Sequence, residues 1–214
     1  MRKEVCMNGK TLLAEAIEMK DEIVENRRAI HRAPEVGAHL PQTVQFVEEK
    51  LRLLGYEPRE LGGGVVAELT GEDMGRCILL RADMDALKVR EKTDLPFRSE
   101  NGSMHACGHD CHTAMLLTAA LVLQETREEW GGVVRLAFQP AEESGEGALS
   151  MIAQGALEGV YACFAMHVWS DVPAGRIGLI SGPCMAGTDR FEIDVKGVGG
   201  HAAQPEHCVD ALVA

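Results

Sequence analysis

Four short runs rich in apolar and β-branched residues, 65–69, 77–80, 133–138 and 161–168, are separated in several places by segments whose apolar residues repeat at helical spacing. A period of two and a period of 3.6 expose different faces, so this alternation restricts the chain to an α/β fold with a largely parallel sheet. Over residues 11–30, Leu13, Ile17, Ile23, Val24 and Ile30 suit one face of a helix. A second helix is predicted over residues 42–54, where Val44, Val47, Leu51 and Leu54 repeat and Gly55 follows as a stop. The stretch AMLLTAALVL after Asp110 is apolar almost all round, which predicts a helix buried against the sheet and capped by Asp110 or Thr113.

After Gly175 the texture changes. GRIGLISG and RFEIDVKG read as strands, and a glycine-rich turn leads into HAAQPEHCVDALVA, the expected start of a helix that ends without a stop signal. A second domain is expected to open near Thr188. A chain of 214 residues can hold one sizeable core and part of a second domain.

The net charge of −12, with no cluster of Lys and Arg, excludes binding to nucleic acid or an anionic membrane through a general basic surface. The first 22 residues are amphipathic and lack the apolar centre of a signal peptide, and no other stretch is long and apolar enough to span a bilayer. Seven cysteines, at 6, 77, 107, 111, 163, 184 and 208, are scattered without the spacing of a secreted framework. Reduced thiols and a cytoplasmic location are the resulting expectations.

Three polar clusters follow strand runs directly: RADMDA at 81–86, QPAEES at 139–144 and MHVW at 166–169. Ligands of open α/β sheets collect at the carboxyl ends of strands, so these loops are expected to converge. A fourth cluster, MHACGHDCH at 104–112, supplies Cys107, His109, Asp110 and His112 just before the apolar helix, a donor set suited to zinc or another borderline metal. The same residues also read as a buried small thiol, a helix cap and a hydrogen-bonded core histidine. Glu142 and Glu143 can reach one site only if the strand has ended, which Pro140 favours; one would then bind metal while the other moves a proton. The alternative is a solvated acidic loop. His167 reads as a ligand or as a satisfied core histidine. Asp83 and Asp85 share a face in extended backbone, and Asp85 is a candidate to orient a ligating histidine from behind, unless both pair with Arg81 or Lys88. His201 sits in the turn GVGGHAAQP, where a histidine can enter a site or face water.

Taken together and in order, HRAPEVG, LLRADMDAL, MHACGHDCHTAMLL, FQPAEESGEGA, MHVW and GVGGHAAQP resemble the M20 metallopeptidase family, specifically its amidohydrolase branch. The resemblance runs from His31 to about Asp210. It implies a zinc-peptidase-type α/β sandwich, with residues 1–187 as the N-terminal part of the catalytic domain and 188–214 as the beginning of an α+β lid and dimerisation domain. It further implies a pair of divalent ions per subunit, zinc foremost with manganese, cobalt or nickel as alternatives. Cys107, His109, Glu143 and His167 would bind them, with Cys107 as a candidate bridge. Glu142 would be the general base and His201 the lid histidine that meets the substrate carbonyl oxygen. The implied substrates are N-acyl amino acids or similar small amides, and the implied full-length form is a homodimer.

Lys88 stands where the family usually has proline and Cys111 where it usually has glycine. Family members are nearly twice this length, and their last metal-binding histidine lies in a returning C-terminal part that this sequence does not contain. Two readings therefore compete: part of an active hydrolase, or an inactive metal-binding or interaction remnant. A thiol redox role for Cys107 and Cys111 is a third, although their spacing is not the usual C-x-x-C.

Overall fold

The computed structural model describes residues 9–187, 189 and 191–213 of the chain. Its first three helices are α1 (Gly9–Glu18), α2 (Lys20–Arg32) and α3 (Pro41–Leu53). Strands β1 (Arg59–Leu61), β2 (Gly64–Thr70) and β3 (Cys77–Asp83) follow, then α4 (His109–Glu125), β4 (Val133–Gln139), α5 (Gly147–Ala153) and β5 (Val160–Ala165). The single helix expected over residues 11–30 is broken at Met19. The interruption is local, since Met19 N–H still donates to the Glu15 carbonyl at 3.2 Å and the Met19 carbonyl accepts the Ile23 N–H at 3.0 Å.

The strands form one mixed sheet in the order β1-β2-β4-β3-β5. β4, β3 and β5 run parallel, as expected, but β2 pairs antiparallel with both β1 and β4. The difference lies in the run LGGG. Gly62 and Gly63 both adopt positive φ, 62° and 84°, which a two-residue hairpin requires and which turns β2 back against β1.

Alternation along the strands supplies two cores. Val65, Ala67 and Leu69 of β2, Leu136 and Phe138 of β4 and Ala82 of β3 pack under Val44, Val47 and Leu51 of α3 and Leu116, Leu117 and Ala120 of α4. Each large apolar side chain buried in this way contributes about 1.5–3 kcal/mol. The opposite face, with Val66, Leu79 and Ala137, packs against Met151 of α5 and Ala156. α5 approaches the end of β4 so closely that a Cβ on Gly147 would stand 1.6 Å from the Pro140 carbonyl oxygen. Only glycine fits there.

Of the two predicted caps of α4, Asp110 satisfies the first-turn Cys111 N–H through Oδ1 at 2.9 Å, and Thr113 is not used. Gly108, at φ 92°, occupies the cap position without a side-chain bond, while Thr113 Oγ1 donates to the Asp83 carbonyl oxygen at 2.9 Å. Tertiary bonding at the end of β3 has taken that hydroxyl away from the helix terminus.

One compact unit ends at Trp169 and a second begins at Ser170. Thr188, where the second domain is expected to open, lies outside the described residues. Among the described residues of the second unit no strand forms over 175–182 or 190–197. The expected helix after His201 is replaced by a single 3-10 turn, Pro205–His207. Ile177, Leu179, Phe191 and Ile193 have the alternation of strands but lie exposed, and a strand without neighbours is not stable in water. Val198 and Val209 exchange backbone hydrogen bonds at 2.9 and 3.0 Å and close the loop that carries His201. Among the described residues no helix is long and apolar enough to cross a membrane.

Candidate metal centre

The three parallel strands end side by side, because Asp83 aligns with Gln139 and Arg81 with Ala165. Residues 83–86, 140–144 and 166–169 therefore leave the sheet at one end, and the Thr113 bond brings the first turn of α4 to the same place.

β4 stops at Gln139, and Ala141 then takes φ 49°, a left-handed conformation that costs an L-residue about 1–2 kcal/mol. The turn aims two successive backbone N–H groups at one carboxylate. Glu142 N–H donates to Asp85 Oδ1 at 2.9 Å and Glu143 N–H to Oδ2 at 3.2 Å. Asp85 is 1% exposed, so these bonds are what satisfy its buried charge. Both glutamates are thereby directed to one site.

His109, fully buried, donates its Nδ1–H to the backbone carbonyl of Asp85 at 2.8 Å. The Asp85 carboxylate stands 3.7 Å from that nitrogen. The main chain therefore orients the ring, where the sequence suggested the side chain. Nε2 is left as a buried lone pair without a hydrogen-bond partner. It lies 3.7 Å from Asp83 Oδ2, 3.7 Å from Glu142 Oε2 and 3.9 Å from Glu143 Oε1. A lone pair facing three carboxylates, two of them partly exposed, is unfavourable unless positive charge, a proton or a metal ion, lies among them. Burial disfavours a charged imidazole, yet the Asp85 bond and the charges of Asp83 and Asp85 outweigh it and raise the His109 pKa.

His167 repeats the pattern. Its Nδ1–H donates to the Val168 carbonyl at 2.6 Å, so Nε2 is again a lone pair, 3.4 Å from Cys107 Sγ. Burial, then the neighbouring Glu143 and Glu142, push the Cys107 thiol up to about 11. A divalent cation reverses that preference, because metal binding takes the thiolate. The burial that pushes up both Cys107 and Cys111 opposes the activation that a redox thiol needs.

Two donor sets share His109: Cys107, His109 and His167, and His109, Glu142 and Glu143, each with ligand atoms within 4.8 Å of one another. In a third grouping, Asp83, His109 and His112, the Asp83 and His112 side chains are already engaged in hydrogen bonds. His112 Nδ1–H donates to Asp83 Oδ1, its Nε2 accepts the Val168 N–H at 2.9 Å, and Arg81 holds Asp83 Oδ2 at 2.7 Å. Burial works to raise the Asp83 pKa, but the His112 bond and the Arg81 and His109 charges bring it down to about 2. His112 is thus a hydrogen-bonded core histidine, one of the two readings its sequence context offered, and Asp83 pairs with Arg81, as the local charges allowed. One sulfur, two imidazole nitrogens and two carboxylates, with both imidazoles pinned through Nδ1, fit a borderline divalent metal.

The model for peptidase family M20/M25/M40 matches residues 79–214, well over half of the chain. The chain belongs to this family. Among its M20 relatives are the N-acetyl-L-cysteine deacetylase of Bacillus subtilis (strain 168), 42% identical over 198 residues that cover 91% of this chain and 48% of the relative. The N-acyl-L-amino acid amidohydrolase of Geobacillus stearothermophilus is 42% identical over 199 residues, 91% of this chain and 54% of the relative. The solved Bacillus subtilis YXEP protein, a dinuclear metal-binding peptidase from the M20 family, superposes with a TM-score of 0.74 at 41% identity, covering 76% of this chain and 46% of that one. The mixed sheet with its helices is thus the fold of M20 catalytic domains. The chain spans about half the length of the curated relatives it matches.

His201 belongs to the second unit. Its Nδ1 accepts the Ala203 N–H at 3.1 Å, so its proton is on Nε2, and the side chain is exposed.

Proposed function

We propose that this chain carries the N-terminal part of a two-metal amidohydrolase that cleaves the amide bond of N-acyl amino acids or similar small amides. The observation that carries this reading is the buried, unpartnered Nε2 of His109, facing Asp83, Glu142 and Glu143. The relatives named as N-acetyl-L-cysteine deacetylase and N-acyl-L-amino acid amidohydrolase support the substrate class. The YXEP protein supports the count of two ions.

In this reading Cys107, His109, Glu143 and His167 hold the ions, zinc being the best match to the donors. Bound divalent ions lower the pKa of water and polarise an amide carbonyl. Glu142 takes the proton from the attacking water and returns it to the leaving amine nitrogen; its backbone is fixed by Asp85, while its side chain remains partly open to solvent. The Nε2–H of His201 is the donor for the carbonyl oxygen as negative charge develops there. Residues 188–214 would open the lid and dimerisation domain of the whole enzyme, a homodimer.

Glu142→Gln tests the assignment. The variant should keep the metal content of the parent while hydrolysis of N-acetyl amino acids falls by about 100- to 10,000-fold. Full turnover by a metal-loaded Glu142→Gln protein would remove Glu142 from the reaction, and a parent chain that binds no divalent ion would remove the metal.

A further inference from the structure

We propose that His112 is a positioning residue that sets the orientation of His167 through the backbone of Val168. The proposal deepens the metal-centre reading, on which the significance of His167 rests.

A backbone N–H can only donate. The 2.9 Å bond from Val168 N–H therefore requires a lone pair on His112 Nε2, which leaves the ring proton on Nδ1, where Asp83 Oδ1 accepts it. Arg81 holds the other oxygen of Asp83 at 2.7 Å and is itself bonded to Gln139 Oε1 at 2.9 Å. Asp83 ends β3 and Gln139 ends β4, so His112 is oriented by two adjacent interior strands of the sheet. Its ring is 2% exposed on the side chain, and both nitrogens are spent on orientation, with none left to bind an ion.

Val168 is held from three directions. Its N–H is on His112, its carbonyl receives the His167 Nδ1–H at 2.6 Å, and its side chain occupies the space that a Cβ on Gly108 would need, 2.4 Å away. The His167 carbonyl and the Val168 N–H belong to one peptide plane, so fixing that N–H fixes the plane from which His167 departs. The His112 ring also packs edge-on against that of His167, with centroids 4.5 Å apart. His167 follows β5, which has β3 as its only strand neighbour among the described residues. The strand alone gives His167 little support, and the helix supplies it instead.

Asn and Gln separate the two bonds of His112. An Asn amide can mimic Nδ1 and keep the donation to Asp83 but cannot reach Val168, whereas a Gln amide can mimic Nε2 and accept from Val168. The test uses the whole 214-residue chain, with imidazole nitrogen NMR of the metal-free protein and cobalt(II) titration against a competing chelator. The parent and His112→Gln should show His167 in the Nδ1–H tautomer and a slowly exchanging Val168 amide. His112→Asn should show tautomer averaging at His167, fast exchange at Val168 and cobalt affinity lower by about 10- to 100-fold, restored in the Gln variant. Unchanged His167 signals and Val168 exchange in His112→Asn would overturn the proposal. Should the NMR pattern appear while the parent binds no cobalt, the positioning stands and the metal-centre reading fails.

Discussion

His31 is 2% exposed and lies between two fully buried carboxylates. Its Nδ1 is 2.7 Å from Asp110 Oδ2 and its Nε2 is 3.2 Å from Glu91. Both ring nitrogens donate in that arrangement, so the group is an imidazolium, and the Asp110 bond is the leading reason that its pKa is raised above 6.5. Replacing His31 by Leu keeps the approximate volume and removes the cation. Asp110 retains Arg27 at 2.7 Å, and Glu91 retains Thr93 Oγ1 at 2.5 Å and Ser99 N–H at 2.7 Å. His105, 6.4 Å away, cannot supply the lost charge, because burial lowers its pKa to about 4. Removing one partner from a buried ion pair costs about 3–5 kcal/mol, and the surviving bonds place His31→Leu at the lower end, about 3 kcal/mol. For a chain of this size that is a fall in Tm of about 6–12 °C. The His31 contribution is complete below pH 6.5 and is lost as pH rises through the raised folded-state pKa. The variant should therefore lose the part of the stability decline that the parent shows on that alkaline side. Circular-dichroism melts at a series of pH values from 6 to 9 read both effects. A His31→Leu protein with the parent's Tm at pH 6 and the parent's slope would refute the charged description of this network.

Two further substitutions probe the site and the sheet. Asp85→Asn presents an amide N–H2 to one of the two backbone N–H groups that the carboxylate now accepts, so zinc affinity should fall by about 10- to 100-fold in a chelator competition, and an unchanged constant would show that Asp85 does not hold the acidic turn. Phe164, 56% exposed on β5, belongs to a strand with one neighbour among the described residues. Phe164→Lys should raise the onset temperature of light scattering while leaving Tm nearly unchanged, and scattering equal to that of the parent would locate association elsewhere.

Strands β2 to β5 were legible because each carries a short run of apolar and β-branched residues. β1 has only Arg59, Glu60 and Leu61, too short a signal, and its pairing depends on two glycine conformations. α5 escaped notice because seven residues, GALSMIA, give barely two turns of periodicity. The exposed alternating residues of 175–197 show the opposite failure: a strand pattern records what a segment can do, and a ladder needs a partner. In the site, Glu142, Glu143 and His167 stood out because ligand-type residues follow strand ends directly, and Cys107 and His109 because donor residues crowd just before an apolar helix. The orienting bonds did not. Nothing in the sequence shows that Ala141 takes a left-handed turn, that Asp85 acts through its carbonyl, or that His112 reaches Val168, because each depends on which atoms tertiary packing brings within 3 Å.

The strand order also fixes a sequence of events. β3 lies between β4 and β5, yet both neighbours follow it in the chain, and β5 is the last of the described strands to be synthesised. Cys107 and His109 are consequently synthesised before His167, so a nascent chain passes through a stage with part of its donors. An ion held jointly by Cys107 and His167 would be linked to the docking of β5: its binding free energy adds to that of the β3–β5 ladder, and withdrawing it loosens the outermost strand first. In hydrogen exchange, chelation would then be felt at Cys163 to Ala165 well before it reached Leu136 and Phe138.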